Sequence, residues 1–280
     1  MAISTSNVVA ISPDQIEDLI VRPVEAASVA IQSSTLLPTS ATVTRIPRVM
    51  ADPTAGWYAE NEEIGASDPT VDDIAVTPAK LAGLTVLSNE SADDTDPAAA
   101  SVIGDGLTRD IGRKLDAAFF GSKGSDPVQP DGLEDLTGVT AVDPGTAWAN
   151  LDPFAEATSN AEGLGLNVNN FVANPADALI LAQLKESDTS NKPLLAADPT
   201  SASRRLLQGV PLLVSPAVTA GTIWGLPKLR SVVVRRNDVD LKIDKSAYFT
   251  SDRTAIRAIM RVGFGFPHEA ALQKITLSAA

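Results

Sequence analysis

The sequence predicts an α+β fold. Three observations carry the prediction: one long helical pattern late in the first half, strand-like apolar or β-branched segments on both sides of it, and a strand, cap and helix unit further on. At 280 residues and 29.1 kDa the chain suits one elaborated domain or two small ones. A chain of this mass hides roughly 70–75% of its unfolded surface on folding, so no covalent staple is required. None is available, because there is no cysteine, which also excludes thiol catalysis, zinc-thiolate sites and iron-sulfur clusters. A composition 44% hydrophobic and 20% charged fits a globular protein. The longest apolar runs are too short to cross a bilayer. Met1 to Ala10 carries no Lys or Arg and no apolar stretch of signal-peptide length, so the expectation is a cytoplasmic chain with no membrane partner.

The elements follow in order. Ser12 as N-cap, Pro13 at the first helical position and Gln15 open a short helix with Ile16, Leu19 and Ile20 on one stripe, interrupted by Pro23; Val24 to Ile31 resumes it. Thr42, Val43, Thr44, Ile46 and Val49 predict a strand within Ala41 to Met50. Ala51 to Val76 is acidic, rich in turn signals, and offers little to bury beyond Trp57, Tyr58 and Ile64, so it predicts a long loop that reaches onto something else. Leu81 to Leu87 reads as a buried strand. The long helix runs from Pro97 to Phe120, capped by Asp96 and ended by Gly121. Its stripe is Ala99, Ile103, Leu107, Ile111, Leu115 and Phe119, and Gly104, Gly106 and Gly112 are expected to let a packed backbone approach. A loop-rich stretch with a short strand at Gly138 to Val142 leads to a helix over Phe154 to Gly163. Asn170 to Asn174 predicts a strand, and Pro175 to Lys185 a helix capped by Asn174. Leu212 to Val214, Ser231 to Val234, and the alternation Ile256, Ala258, Met260, Val262 complete the strands.

Net charge is −13 and the pI about 4.5, which argues against a sequence-reading nucleic-acid binder. The distribution is polarised. Residues 52–96 hold eleven acids against Lys80 alone, whereas residues 204–261 hold eleven bases against four acids. Exposed charges are individually weak, but this asymmetry suits an acidic segment of one copy docking on a basic surface of the next.

Material for catalysis is scarce. His268 is the only histidine, so no Ser-His-Asp or Cys-His constellation and no His-rich metal site is expected. Asp93, Asp94 and Asp96 fail the spacing of a calcium loop. GxxxxGK[ST], GxSxG, HExxH and SxxK are absent. Seven Phe, three Trp and two Tyr are poor material for a sugar-binding cleft. The expectation is a protein that is not an enzyme, with no cofactor and no metal.

Six stretches follow one another along the chain: Gly56-Trp57-Tyr58-Ala59-Glu60-Asn61-Glu62-Glu63-Ile64, Ser67-Asp68-Pro69-Thr70, the strand Lys80 to Ser88 with Asn89-Glu90, Asn174-Pro175-Ala176-Asp177, Leu207-Gln208-Gly209-Val210-Pro211-Leu212, and the returning strand Arg257 to Phe266 with His268-Glu269-Ala270. In this order they resemble tailed-phage major capsid proteins with the Hong Kong 97-type fold. The resemblance implies an N-terminal arm (1–40), an extended β-hairpin loop (41–78), a peripheral domain with a spine helix at 97–120 (79–150, returning at 251–280) and an axial domain (151–250). It implies a structural protein of the virion that self-assembles, in the host cytoplasm, into hexamers and pentamers of an icosahedral shell around double-stranded DNA contacted weakly and without specificity. A portal and scaffold or decoration proteins are the implied further partners.

Trp57, Tyr58, Glu60, Glu62 and Glu63 on the loop, with Arg235 and Arg236 on the receiving surface, are the expected inter-subunit contacts. Some members crosslink a loop Lys to an Asn of another subunit; residues 51–76 hold no Lys, so no such bond is expected. The chain reaches the arm at once, which implies a separate scaffold or none. An encapsulin-like compartment shell is the alternative within the fold, and a soluble acidic hydrolase or binding module the alternative outside it.

Overall fold

The computed structural model describes residues 28–51, 53–61, 63–88, 98–187, 190–195 and 205–278. The expected helix from Ser12 to Arg22, the Asp96 cap with Pro97, and Glu62 lie outside the described residues. A short helix α1 (Val29–Ser33) leads into strands β1 (Thr35–Thr39), β2 (Thr44–Ala51), β3 (Thr70–Val76) and β4 (Ala79–Ser88), and then into the long helix α2 (Ala98–Phe120). Strand β5 (Thr140–Val142), helix α3 (Asp152–Gly163), β6 (Asn170–Ala173), helix α4 (Pro175–Gln183), β7 (Arg205–Leu207), β8 (Val210–Val214) and β9 (Thr222–Leu226) follow. The chain closes with β10 (Val232–Tyr248), β11 (Arg253–Gly265) and β12 (Gln273–Thr276).

Among the described residues the strands form three sheets. One is four-stranded in the order β1-β10-β11-β4, one six-stranded in the order β5-β12-β9-β6-β8-β7, and β2-β3 is a two-stranded ribbon. Strand β10 runs over 17 residues, far past the expected Ser231 to Val234 segment, and pairs antiparallel with β11 through a bulge between Arg236 and Asp240. Strands β1, β7, β9 and β12 have no counterpart among the sequence-based expectations; Thr70–Val76, read from its residues as loop, is the returning strand of the extended hairpin that the resemblance implies.

Helix α2 lies against one face of the four-stranded sheet. Its Ile111, Leu115 and Phe119 are buried against Ala258, Met260, Val262 and Phe264 of β11, and each such side chain contributes roughly 1.5–3 kcal/mol. Phe119 meets Phe264 edge-on, with ring centroids 5.1 Å apart. The helix and sheet approach closely because the strand, not the helix, supplies the glycine: a Cβ on Gly83 would stand 2.5 Å from Leu107 Cδ1. At Gly112 the same construction meets nothing within 4 Å and at Gly106 only Arg109 Nη2 at 4.0 Å, so these two helix glycines do not supply the close approach expected of them.

The six-stranded sheet is covered on both sides. Val172, Trp224, Leu226 and Leu272 face the α2 core, while Phe171, Ala173, Ile223 and Ile275 face α3 and α4. Asn174 caps α4 as expected, its Oδ1 accepting from Ala176 N at 3.0 Å. Asp177 is buried in the first turn of α4, where its two oxygens accept from Trp148 Nε1 and Gly221 N, both at 2.8 Å. That one carboxylate joins helix, loop and sheet.

Candidate inter-subunit interface

The β2-β3 ribbon carries its own charge balance. Arg48 donates to Asp72 through Nε at 3.0 Å and Nη2 at 2.6 Å, and Arg45 Nη1 donates to Asp73 at 2.7 Å. The Arg48 hydrogen bonds hold the Asp72 carboxyl below its ordinary range. Two of the acids in residues 52–96 are therefore answered within the ribbon. Its tip is different: residues 53–69 contain Glu60, Glu62, Glu63 and Asp68 and no base.

The tip is closed by a pair of bonds, Thr54 N to Ser67 Oγ at 2.9 Å and Ser67 Oγ to Thr54 O at 3.2 Å. Asn61 turns the chain at φ 67°, a left-handed conformation that asparagine tolerates. The Tyr58 ring lies against Gly56 and Gly65, so it braces the tip from within. Trp57, by contrast, is 105% exposed and Ile64 73% exposed. Of the two expected aromatic contacts Trp57 is fully displayed, and Tyr58, 41% exposed, presents part of its ring while resting against Gly56 and Gly65. Ile64 joins Trp57 as the second apolar group on offer. Exposed apolar groups ringed by acids make a contact surface of the kind whose core is an aromatic anchor.

The basic surface expected to receive the tip is built by the four-stranded sheet. Because alternate residues of β11 pack on α2, period two turns Arg257 and Arg261 to the opposite, outer face. Register places Arg261 between Lys80 of β4 and Arg236 of β10, and Arg257 between Leu84 and Lys242. Three strands thus contribute a rung of three cations at spacings of about 5 Å, like charges that repel one another. Leu84, 60% exposed beside Arg257, gives the field an apolar spot, and its exposure corrects the expectation that Leu81 to Leu87 is buried throughout. Arg235 and Arg236 do not share a surface. Arg236 lies on the outer face, where Nε donates to Ser40 O at 3.2 Å, whereas Arg235 is in register with Val262 on the helix side.

The ribbon is seated on the same outer face, at its other end. Ile46, Ile74 and Val76 pack on Val232 and Val234. The seat requires bare backbone: a Cβ on Gly263 would lie 2.7 Å from Val76 Cγ1, and one on Gly265 2.7 Å from Ile46 Cδ1.

His268 is half-buried and stands at the start of a short turn. Among the described residues no three His, Asp or Glu side chains gather as a metal site, and no helix is long and apolar enough to cross a membrane.

The fold is that of known capsids. The capsid of an empty GTA particle superposes with a TM-score of 0.73 at 19% identity, covering 90% of each chain. A chain of Microbacterium phage Oxtober96 gives 0.71 at 18% identity, covering 90% of this chain and 91% of that one. A chain of Mycobacterium phage Bobi gives 0.71 at 16% identity over 100% of this chain and 96% of that one. No curated protein matches the sequence. Identities this low establish the Hong Kong 97-type fold alone; kinship rests on the model of the phage capsid family, which matches residues 10–277. The chain belongs to the phage capsid family, and its role is that of a structural major capsid protein.

Proposed function

We propose that this capsid protein forms the hexamers and pentamers of an icosahedral shell around double-stranded DNA, and that subunits are joined by the tip of one ribbon lying on the basic sheet face of the next. The observation that carries the reading is the pairing of opposites: a fully exposed Trp57 among acids, and the Lys80, Arg261, Arg236 rung with Leu84 beside the second rung. Trp57 and Ile64 supply the anchor; Glu60, Glu62 and Glu63 supply register by meeting Arg236, Arg261 and Lys80. Repetition around a closed assembly makes modest contacts sufficient.

The proposed division runs from an arm (1–40) through the extended loop (41–78) to a peripheral part carrying α2 and an axial part beginning near residue 151. The pairing of β10 with β11 supports counting Val232–Tyr248 with the peripheral part. Assembly in the host cytoplasm, a portal, and scaffold or decoration proteins belong to the same proposal. A net charge of −13 suits weak, non-specific contact with the packaged DNA.

The test is particle formation by purified protein, followed by sedimentation and electron microscopy. Trp57→Ala and the double reversal Arg236→Glu with Arg261→Glu are each expected to lower shell yield by at least about tenfold. Adding Glu60→Lys and Glu63→Lys to the reversed face is expected to recover part of it. Undiminished shells from the double reversal would overturn the proposed docking.

A further inference from the structure

On the side of α2 turned toward α1 there is a groove of about 410 Å³. Val29, Gly112, Ala117, Val214, Pro216 and Ala217 make it mostly apolar, and Arg109 and Arg113 stand on its edge, exposed and one turn apart. Two cations at that spacing on a helix repel. The third charged group, Asp116, is already committed: it accepts from Ser28 Oγ at 2.6 Å, Val29 N at 3.1 Å and Ala30 N at 3.0 Å. Those bonds fix Ser28 and Val29 at the groove wall, so the chain enters the described fold at the groove's own rim.

We propose that this groove binds the chain's own residues 13–20. That stretch holds Ile16, Leu19 and Ile20, enough to cover the apolar floor, interleaved with Asp14, Glu17 and Asp18, which are opposite in sign to Arg109 and Arg113. Residues 21–27 reach roughly 24 Å when extended, ample to return the stretch to a groove that starts at residue 29. The proposed docking is made within one chain and does not depend on how subunits meet.

The absence of cysteine makes the test direct. Val214→Cys places a single thiol in the groove of the full chain, and its alkylation by N-ethylmaleimide is followed by mass spectrometry. Ile16→Asp, Leu19→Asp and Ile20→Asp together are expected to speed alkylation by at least about tenfold. Arg109→Glu with Arg113→Glu is expected to speed it as well, and adding Asp14→Lys, Glu17→Lys and Asp18→Lys to that pair to slow it again. Protection is expected to be independent of protein concentration. A rate indifferent to the three aspartates overturns the proposal. So does protection that grows with concentration, since the occupant would then be a neighbouring copy. If the aspartate variant fails to fold, the exposed arginine pair decides: reversal that leaves the rate unchanged refutes the docking.

Discussion

Asp116 shows how a single buried acid organises the start of a fold. Its oxygens take up Ser28 Oγ and two backbone N–H groups at the start of α1, groups that a five-residue helix cannot satisfy internally. Asp116→Ala leaves all three without an acceptor and is expected to cost about 2–4 kcal/mol, read as a lowered urea midpoint. Asp116→Asn keeps one oxygen but can turn an amide N–H toward Val29 N–H, and is expected to fall between. Burial pushes the Asp116 carboxyl above its ordinary range, against the hydrogen bonds from Ser28, Ala30 and Val29, and Arg109 and Arg113 face the same cavity. A raised folded-state value means that the protonated form favours the fold. The contribution is complete below the ordinary aspartate value, declines as pH rises through the interval to the raised one, and is level above it. Urea midpoints of Asp116→Asn against the parent across that interval should differ by a pH-dependent amount; parallel curves would refute the assignment.

At the scale of elements, local signals are readable in the sequence and long-range ones are not. Helix α2 announces itself through a four-residue apolar spacing, and α4 through Asn174 and Pro175, because caps and periodicity act within a turn or two. Strand β9 is buried at every position and carries Gly225, so it shows no alternation, and its strand formers Thr222, Ile223 and Trp224 make a run too short to stand out in sequence. The outer half of β10 does alternate, through Val239, Leu241 and Ile243, but its charge-rich composition and the bulge after Arg236 hide the pattern. The projecting Trp57 tip is legible as a segment with nothing to bury. Its receiving rung is not, because Lys80, Arg236 and Arg261 come from three strands, and because Arg235 and Arg236, adjacent in sequence, point to opposite faces. The ribbon seat is a property of the same kind. Gly263→Ala puts a methyl group where Val76 already sits, with the Pro78 backbone 3.3 Å away, and is expected to cost about 1–3 kcal/mol by chemical denaturation. A neutral result would mean the seat is looser than its geometry.

For the whole molecule, the proposed docking of opposite charges determines how assembly should respond to the medium. Raising salt from 0.1 to 1 M shortens the screening length from about 10 Å to about 3 Å. Shell formation is expected to weaken over that range in the parent, and to weaken less in the double reversal of Arg236 and Arg261, which has already lost the attraction; Trp57→Ala should impair assembly at every salt concentration. Yields that rise with salt would place the driving force elsewhere. The seat at Gly263 and Gly265 has a mechanical meaning in such a lattice. A ribbon clamped at its root against bare backbone behaves as a cantilever, so a load applied at the far end returns to its owner as torque on the sheet that, in the proposed docking, receives a sister molecule. Deformation would then spread from tile to tile through the stiffest part of each, and a curved surface built this way would yield collectively rather than at one seam.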